Sequence, residues 1–396
     1  MLSPGGLGRT PGPPCFLMFL AYLTVTDDRV ISAEGRSRMT ATEEVRAKRD
    51  AKLDELHEKL TGAVETLVSG RDWARALAFA ARFRSRSFNN TLLIWVQHEA
   101  AFEAGRVPGP VPSYVAGYRQ WQQLGQQVQK GQPGYMIFAP VTGRFASSNP
   151  GDPSSWRRLG PREKHKVNEV VRTKMVGARP AYVWDVTQTE GDPIPEPLAP
   201  KLLDGEAPQG LWDGLAMQVE ALGFEVLRVP DDGRIGGADG LTDYVARQVS
   251  VRTDVTEVNQ IATLAHELAH VLMHDPKDED ARQHRGVREV EAESVALMVG
   301  AAHGLDTSGY AIPYVAGWAS SVKDGEPVEV VKATGERVRR TALGILDQLD
   351  TFQVADGTPP GLARDVPTAE PKALHVPPPS EHRPAARVPV VAGRGL

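Results

Sequence analysis

The sequence contains almost no cysteine and no apolar run long enough to cross a bilayer. Cys15 is the single cysteine among 396 residues, which excludes an intramolecular disulfide framework and any zinc site built from several thiolates. A metal site in this chain must therefore use His and carboxylate ligands. The apolar run 15–25 has eleven residues, too few for a membrane span.

The same run has the length of a signal-peptide core. Thr26 and two aspartates follow it, where a cleavage site would require small residues. We therefore predict a cytoplasmic protein with no membrane partner.

Proline and helical periodicity predict the organisation of the chain. At roughly 100 to 200 residues per domain, this length suggests two or three units. Met39 opens a helical pattern of leucines, and residues 355–396 contain nine prolines and no aromatic residue. The predicted segments are a disordered or untranslated extension at 1–38, a domain at 39–190, a Pro-rich linker at 191–200, a domain at 201–352 and a disordered Pro-rich tail at 353–396.

Charge is divided between the two predicted domains. The formal net charge of the whole chain is −5, but its two halves have opposite charge. Residues 41–190 have 22 basic and 15 acidic residues, a net charge of +7. Residues 191–350 have 14 basic and 28 acidic residues, a net charge of −14. Such asymmetry suggests that the two domains have different partners.

Hydrophobic patterns predict an α+β fold for both domains. In the first, strands at 135–140 and 181–186 should pair across a long basic insertion, 141–180. In the second, the alternating segment 244–252 predicts an edge strand with one buried face. The predicted helices of the second domain are 211–222, an apolar central helix at 258–274 capped by Thr256, and 287–300.

The central helix contains an HExxH motif, His266-Glu267-Leu268-Ala269-His270. Residues i and i+4 share a helix face, so the two imidazoles can meet one ion at Zn–N distances of roughly 2.0 to 2.1 Å. Glu267 then lies beside the metal as the general base that takes a proton from zinc-bound water. A buried His/Glu network without a metal is the alternative, but it would leave several charges without a neutralising cation.

A catalytic zinc requires a third protein ligand. The metzincin pattern is excluded, because it needs glycine and histidine where the chain has Met273 and Pro276. We assign Glu289 as the third ligand and Glu293, four residues later, as the acceptor that orients one imidazole through its other N–H. Glu291 or Glu293 as the ligand remains an alternative. His274 is expected to be a helix C-terminal residue rather than a ligand, and no role is assigned to His284 or His303.

Basic and aromatic residues alternate in the first domain, a combination that holds single-stranded nucleic acid. Trp73, Phe88 and Trp95 are expected in the core. The predicted DNA contacts are Arg82, Arg84, Arg86, Tyr118, Arg119 and Lys130.

Compound motifs over about residues 42–305 resemble a known family. FNNTLLIWVQ, YVAGYRQWQQLGQQVQKGQPGYMIFAP and AYVWDVTQTEGDPIPE are similar to the N-terminal single-stranded-DNA-binding domain of ArdC-type antirestriction proteins. HELAHVLMH and EVEAESVA are similar to their zincin-like metallopeptidase domain of the ImmA/IrrE type. The resemblance implies a gluzincin-like zinc site at His266, His270 and Glu289, with Glu267 as its catalytic carboxylate. Where many relatives have Asn or Asp after Glu-x-x-Ala, this chain has Glu293.

The leading hypothesis is a single-stranded-DNA-binding zinc metalloendopeptidase with one zinc ion per chain and an unidentified protein substrate. One alternative is a non-catalytic protein that shields incoming DNA, which full protection by residues 39–195 alone would favour. Another is a protease that removes proteins crosslinked to DNA, which a requirement of proteolysis for single-stranded DNA would distinguish.

Overall fold

The structure, a computed structural model, describes residues 33–67, 69–195, 197, 206–277, 287–306, 312–313, 315–322 and 325–362. Cys15, His284 and most of both predicted tails lie outside these ranges. The described residues from Ala51 onward form one compact unit. Helix α1, Ala33–Glu65, begins before this unit and contributes Leu56, Leu60 and Val64 to its core.

Two capped helices follow. Helix α2, Gly70–Arg82, starts at a capping box in which Ser69 and Asp72 satisfy each other's backbone N–H groups. Helix α3, Phe88–Glu103, is capped by the side chain of Ser87. As predicted, Trp73 and Phe88 are fully buried, and Trp95 packs against the core.

A four-stranded antiparallel sheet completes the N-terminal part, in the order β1 (Val115–Gly117), β5 (Val170–Asp185), β3 (Tyr135–Ser147) and β4 (Arg157–Arg158). The pairing predicted between 135–140 and 181–186 is confirmed. Residues 141–180 are not a separate insertion, however, because both strands continue into them as a long ribbon with a bulge at Val141/Thr142. The elements here are β1 (Val115–Gly117), α4 (Tyr118–Gln123), β2 (Gln127–Val128), β3 (Tyr135–Ser147), β4 (Arg157–Arg158), β5 (Val170–Asp185) and β6 (Thr189–Glu190).

The C-terminal part contains a sheet of three strands. After helix α5, Leu211–Ala221, come β7 (Glu225–Val229), β8 (Gly240–Asp243) and β9 (Gln248–Arg252) in the order β7-β9-β8. The prediction of an edge strand at 244–252 is wrong, because β9 lies between β7 and β8, which form the two edges of the sheet. Alternation reports one buried face, here Val249 and Val251, and does not report how many neighbours a strand has.

Helices α6, Glu257–Met273, and α7, Arg288–Ala302, pack against each other beside this sheet. Thr256 caps α6 as predicted, accepting from the backbone N–H of Asn259 at 3.3 Å. Helices α8 (Val315–Ala319) and α9 (Pro327–Leu346) follow. Within the described ranges, no helix combines the length and apolar composition needed to cross a membrane.

One continuous cluster of buried side chains joins the N-terminal and C-terminal parts. Helix α2 packs on α7, where the indole Nε1 of Trp73 donates to Ser294 Oγ at 2.9 Å. Helix α9 packs on α3, and a Cβ at Gly335 would lie 2.3 Å from the ring of Phe88. The core is therefore common to both parts.

The predicted disorder of the tail is wrong for residues 353–362. Val354 is buried, and its backbone N–H donates to the Ala302 carbonyl at 2.7 Å. Gly357 accepts from the backbone N–H of Val115 at 3.0 Å. These long-range backbone contacts hold a proline-containing segment that has no helical or strand pattern of its own. The rest of the tail, 363–396, lies outside the described residues.

Candidate metal centre

Helices α6 and α7 bring three potential ligands together. His266 and His270, four residues apart on α6, direct their Nε2 atoms to within 3.0 Å of each other. Glu289, in the first turn of α7, places Oε2 at 3.5 Å from His266 Nε2 and 3.4 Å from His270 Nε2. Within the described part of the chain, these side chains form the group able to hold a metal ion.

The other nitrogen of each imidazole has its own partner. His266 Nδ1 lies 3.1 Å from Glu293 Oε2, an acceptor. His270 Nδ1 lies 2.9 Å from Nδ1 of His274. Because each Nδ1–H has an acceptor, the neutral form of each imidazole presents the lone pair of its Nε2 to a common ligand.

His274 belongs to a buried chain of polar groups behind His270. As the C-cap of α6 it is 1% exposed, and its Nε2 lies 3.0 Å from Glu291 Oε2. The other Glu291 oxygen accepts from Arg337 Nε of α9 at 2.6 Å. Since the carboxylate accepts from His274 Nε2–H, His274 Nδ1 must accept the hydrogen bond from His270 Nδ1–H.

Hydrogen bonds within the centre stabilise the charged forms of His266 and Glu289. Burial opposes protonation of His266, but hydrogen bonds with Glu289 and Glu293 outweigh it and raise its pKa to about 9. Hydrogen bonds from His266 and His270 hold the pKa of Glu289 well below its usual value. Burial lowers the pKa of His274, which keeps this imidazole neutral as the chain requires.

Glu267 is buried on the sheet side of α6, beside the edge strand β8. The hydroxyl of Thr242 in β8 donates to Glu267 Oε2 at 2.6 Å. A Cβ at Gly240 would lie 2.7 Å from Glu267 Oε1, so the strand approaches this closely only with glycine there. The Tyr244 hydroxyl donates to the His270 carbonyl at 2.7 Å. These groups line a cavity of about 690 Å³ that also exposes His266, His270 and Glu289.

The predicted DNA contacts differ in exposure. Arg84 is 7% exposed, and its guanidinium donates to the carbonyls of Ala81 at 2.8 Å and Val354 at 2.9 Å. The prediction that Arg84 is a surface contact is therefore wrong, since backbone carbonyls satisfy its charge-bearing group inside the protein. Arg86 is half-buried and donates to the Val115 carbonyl at 3.0 Å. The exposed residues of the set are Arg82, Tyr118, Arg119 and Lys130.

Three contacts around the centre are not predicted by the sequence. His274 is the C-terminal cap of α6, as predicted, but its hydrogen bond with His270 is an additional contact. Thr242 and Arg337 carry no sequence signal, because only the fold brings them to α6 and α7. His303 is buried between Val299 and Thr351, away from the centre.

Two domain models match the sequence. Residues 47–184 match the N-terminal domain of anti-restriction factor ArdC, and residues 219–311 match the IrrE N-terminal-like domain of a peptidase family. The two-domain α+β architecture predicted from the sequence is thus confirmed, and the predicted domain bounds stay predictions.

Individual proteins are similar over much of the chain. An uncharacterized protein of Bacillus anthracis is 24% identical over 308 residues, which cover 74% of this chain and 50% of that protein. The chain therefore spans about half the length of this relative. The antirestriction protein ArdC of the R388 plasmid, metal-free, is 20% identical, covering 66% of this chain and 84% of that one at a TM-score of 0.41. Its Mn(II)-bound structure is 19% identical, covering 68% and 90% at a TM-score of 0.38.

Proposed function

We propose that this chain, whose two domain matches are those of an ArdC-type protein, is a single-stranded-DNA-binding, zinc-dependent metalloendopeptidase with an antirestriction function. The approach of His266, His270 and Glu289 to one another carries the catalytic half of this proposal. The match of residues 47–184 to an ArdC N-terminal domain supports the DNA-binding half.

The residues of the centre fit a zinc ion. Ligands at 2.0–2.1 Å from a tetrahedral zinc lie roughly 3.3–3.4 Å apart. The three ligand atoms here are 3.0, 3.4 and 3.5 Å apart, close to the edges of such a tetrahedron. Two imidazole nitrogens and one carboxylate oxygen are a zinc donor set, and three ligands leave the fourth position to water or substrate.

When bound, the ion would supply Lewis-acid polarisation of a carbonyl and a lowered pKa for water. Glu267 would act as the general base. Because the Thr242 hydroxyl already donates to Oε2 of Glu267, the other oxygen, Oε1, would take the proton of the attacking water and pass it to the leaving amine. The hydrogen bond from Thr242 holds the carboxylate in one orientation during this transfer.

The edge of β8 supports a polypeptide substrate. The strand β8 pairs with β9 on one side, and its residues Gly240, Leu241 and Thr242 line the cavity of the metal centre. An extended peptide can add to a free sheet edge through backbone hydrogen bonds, largely independently of its side chains. A peptide in this position would bring a backbone carbonyl towards His266 and His270.

The division of charge supports separate partners for the two parts. The C-terminal part is acidic and would be repelled by DNA, which leaves its cavity to a polypeptide. DNA would be held by the basic N-terminal part and bring the peptidase to single strands.

A peptide library and a substitution of the base test the catalytic half. The zinc-loaded full chain is incubated with a library of proteome-derived peptides, and new termini are identified by mass spectrometry. We expect cleavage by the unmodified chain and its loss in Glu267→Gln, with one zinc retained per chain in both. Cleavage by the Gln variant at the unmodified rate would exclude Glu267 as the base. A chain that binds no zinc would exclude the metallopeptidase.

A further inference from the structure

The ribbon formed by β3, β4 and β5 beyond the bulge has two chemically different faces. Cross-strand partners point to the same face of a sheet, and side chains along a strand alternate. Phe145 pairs with both Arg158 and Arg172, and Gly143, two residues earlier, pairs with Lys174. The register therefore gathers Arg158, Arg172 and Lys174 on the face that carries Phe145.

A second aromatic ring lies on this face. Trp156, immediately before β4, has the Arg172 guanidinium 4.9 Å and the Lys174 ammonium 5.2 Å from its ring centre. The Lys174 ammonium also lies 5.8 Å from the ring centre of Phe145. We call these five residues the ribbon face: Phe145, Trp156, Arg158, Arg172 and Lys174.

The cations of the ribbon face are available to a ligand. All three are exposed, whereas the two rings are half-buried. The nearby acidic residues Glu163 and Glu169 both pair with Arg157, which lies one position along β4 and points the other way. Among the described residues, no carboxylate forms an ion pair with Arg158, Arg172 or Lys174 within 4.0 Å.

A cavity of about 480 Å³ lies next to this face. It is lined by two arginines, Arg144 and Arg158, and no carboxylate is among its lining residues. A Cβ at Gly143 would lie 3.1 Å from Val176 and 3.3 Å from Arg158 Nε, so a side chain at this position would crowd the cavity. The guanidinium of Arg158 beside this concave surface can bind a phosphate.

We propose that the ribbon face is the surface that binds single-stranded DNA, with Arg158, Arg172 and Lys174 on the phosphates and Phe145 and Trp156 under the bases. The proposal rests on the DNA-binding function proposed above. Single strands are favoured over duplex because aromatic rings stack only on bases that are free of their own neighbours. In a duplex, the rings would contribute nothing and only the cations would act.

Two sets of charge substitutions in the full chain test the location. The first replaces Arg158, Arg172 and Lys174 of the ribbon face by Gln. The matched control replaces Arg71, Arg75 and Arg106, which are also exposed, and removes the same charge. Binding of a fluorescein-labelled oligothymidylate is measured by anisotropy over a salt series.

We expect the ribbon set to weaken binding roughly ten- to hundredfold in 0.1 M salt and to lower the salt slope by about 2, at about 0.7 per lost phosphate contact. The control set should retain the slope. The reverse result would overturn the ribbon face as the binding surface and leave the proposed function intact. Failure of the unmodified chain to bind would overturn both.

A pair of aromatic substitutions tests stacking. Trp156→Leu should weaken binding of the oligothymidylate by roughly tenfold, whereas Trp156→Phe should retain most of it, because a ring remains for a base. Circular dichroism checks that both variants are folded. Equal affinity of the Leu variant, or tighter binding of a hairpin duplex that is insensitive to Trp156→Leu, would overturn the assignment to single strands.

Discussion

The Nε2 atom of His274 lies 3.0 Å from Oε2 of Glu291, and both side chains are buried. This contact determines which nitrogen of His274 carries the proton, and thereby which nitrogen of His270 faces Glu289. Arg337 anchors the other end of the chain through the second oxygen of Glu291. A helix outside the matched peptidase region thus helps to orient a predicted metal ligand.

Replacing His274 should weaken metal binding. His274→Phe keeps a ring in the buried position but removes the acceptor of the His270 Nδ1–H, and loss of such a partner typically costs 10–100-fold in metal affinity. Zinc affinity is measured by competition with a chromophoric chelator. His303→Phe is the matched control, because His303 is also a fully buried cap of its helix but lies away from the centre. Equal zinc affinity in both variants would show that His274 does not position His270.

Metal affinity should rise with pH up to about 9. The raised pKa of His266 means that zinc must displace a proton, so apparent affinity should increase by about tenfold per pH unit between pH 6.5 and 9. In metal-free protein, the same shift contributes stability that is fully present below pH 6.5 and lost as pH rises through 9. Glu293→Gln removes one of the carboxylates that raise this pKa and should move both profiles to lower pH. Isothermal titration in several buffers counts the released protons, and a flat profile would contradict the shift.

Sequence patterns predict the candidate metal ligands because these residues lie along two helices, α6 and α7. The spacing of His266 and His270, the cap at Thr256 and the position of Glu289 one turn before Glu293 all follow from helical periodicity. Each of these features depends on residues within one helix, and the structure brings the two helices together.

Features that depend on distant partners could not be predicted in this way. Arg84 belongs to a run of basic residues that is typical of a protein surface. Its guanidinium nevertheless donates to backbone carbonyls from two separate segments. Val354 lies in a proline-rich stretch that reads as disordered, yet Ala302 holds its backbone. The central place of β9 depends on β7 and β8, and alternation within the strand carries no information about either.

The hydroxyl of Thr242 should contribute to peptide cleavage without affecting zinc. Thr242→Val preserves shape but removes the hydrogen bond to Glu267, and a misplaced base should lower kcat roughly ten- to hundredfold. Thr242→Ser, which retains the hydroxyl, should keep most of the activity. The measurement is kcat on a peptide identified from the library, with zinc content determined for each variant. A Val variant as active as the Ser variant would show that Glu267 is oriented by other contacts.

Trp73 and Ser294 should couple the stability of the two parts of the chain. Their hydrogen bond joins α2 to α7 within the common core, next to Glu293. Trp73→Phe and Ser294→Ala each remove one partner, and a buried hydrogen bond of this kind contributes about 1 kcal/mol to the free energy of unfolding. In a double-mutant cycle followed by urea denaturation, we expect a coupling energy of about that size. The two parts should also unfold in one transition, because their buried side chains form one cluster. Additive effects of the two substitutions would show that the Trp73–Ser294 contact contributes no coupling energy. Separate transitions, monitored by tryptophan fluorescence and circular dichroism, would show that the two parts are stable independently.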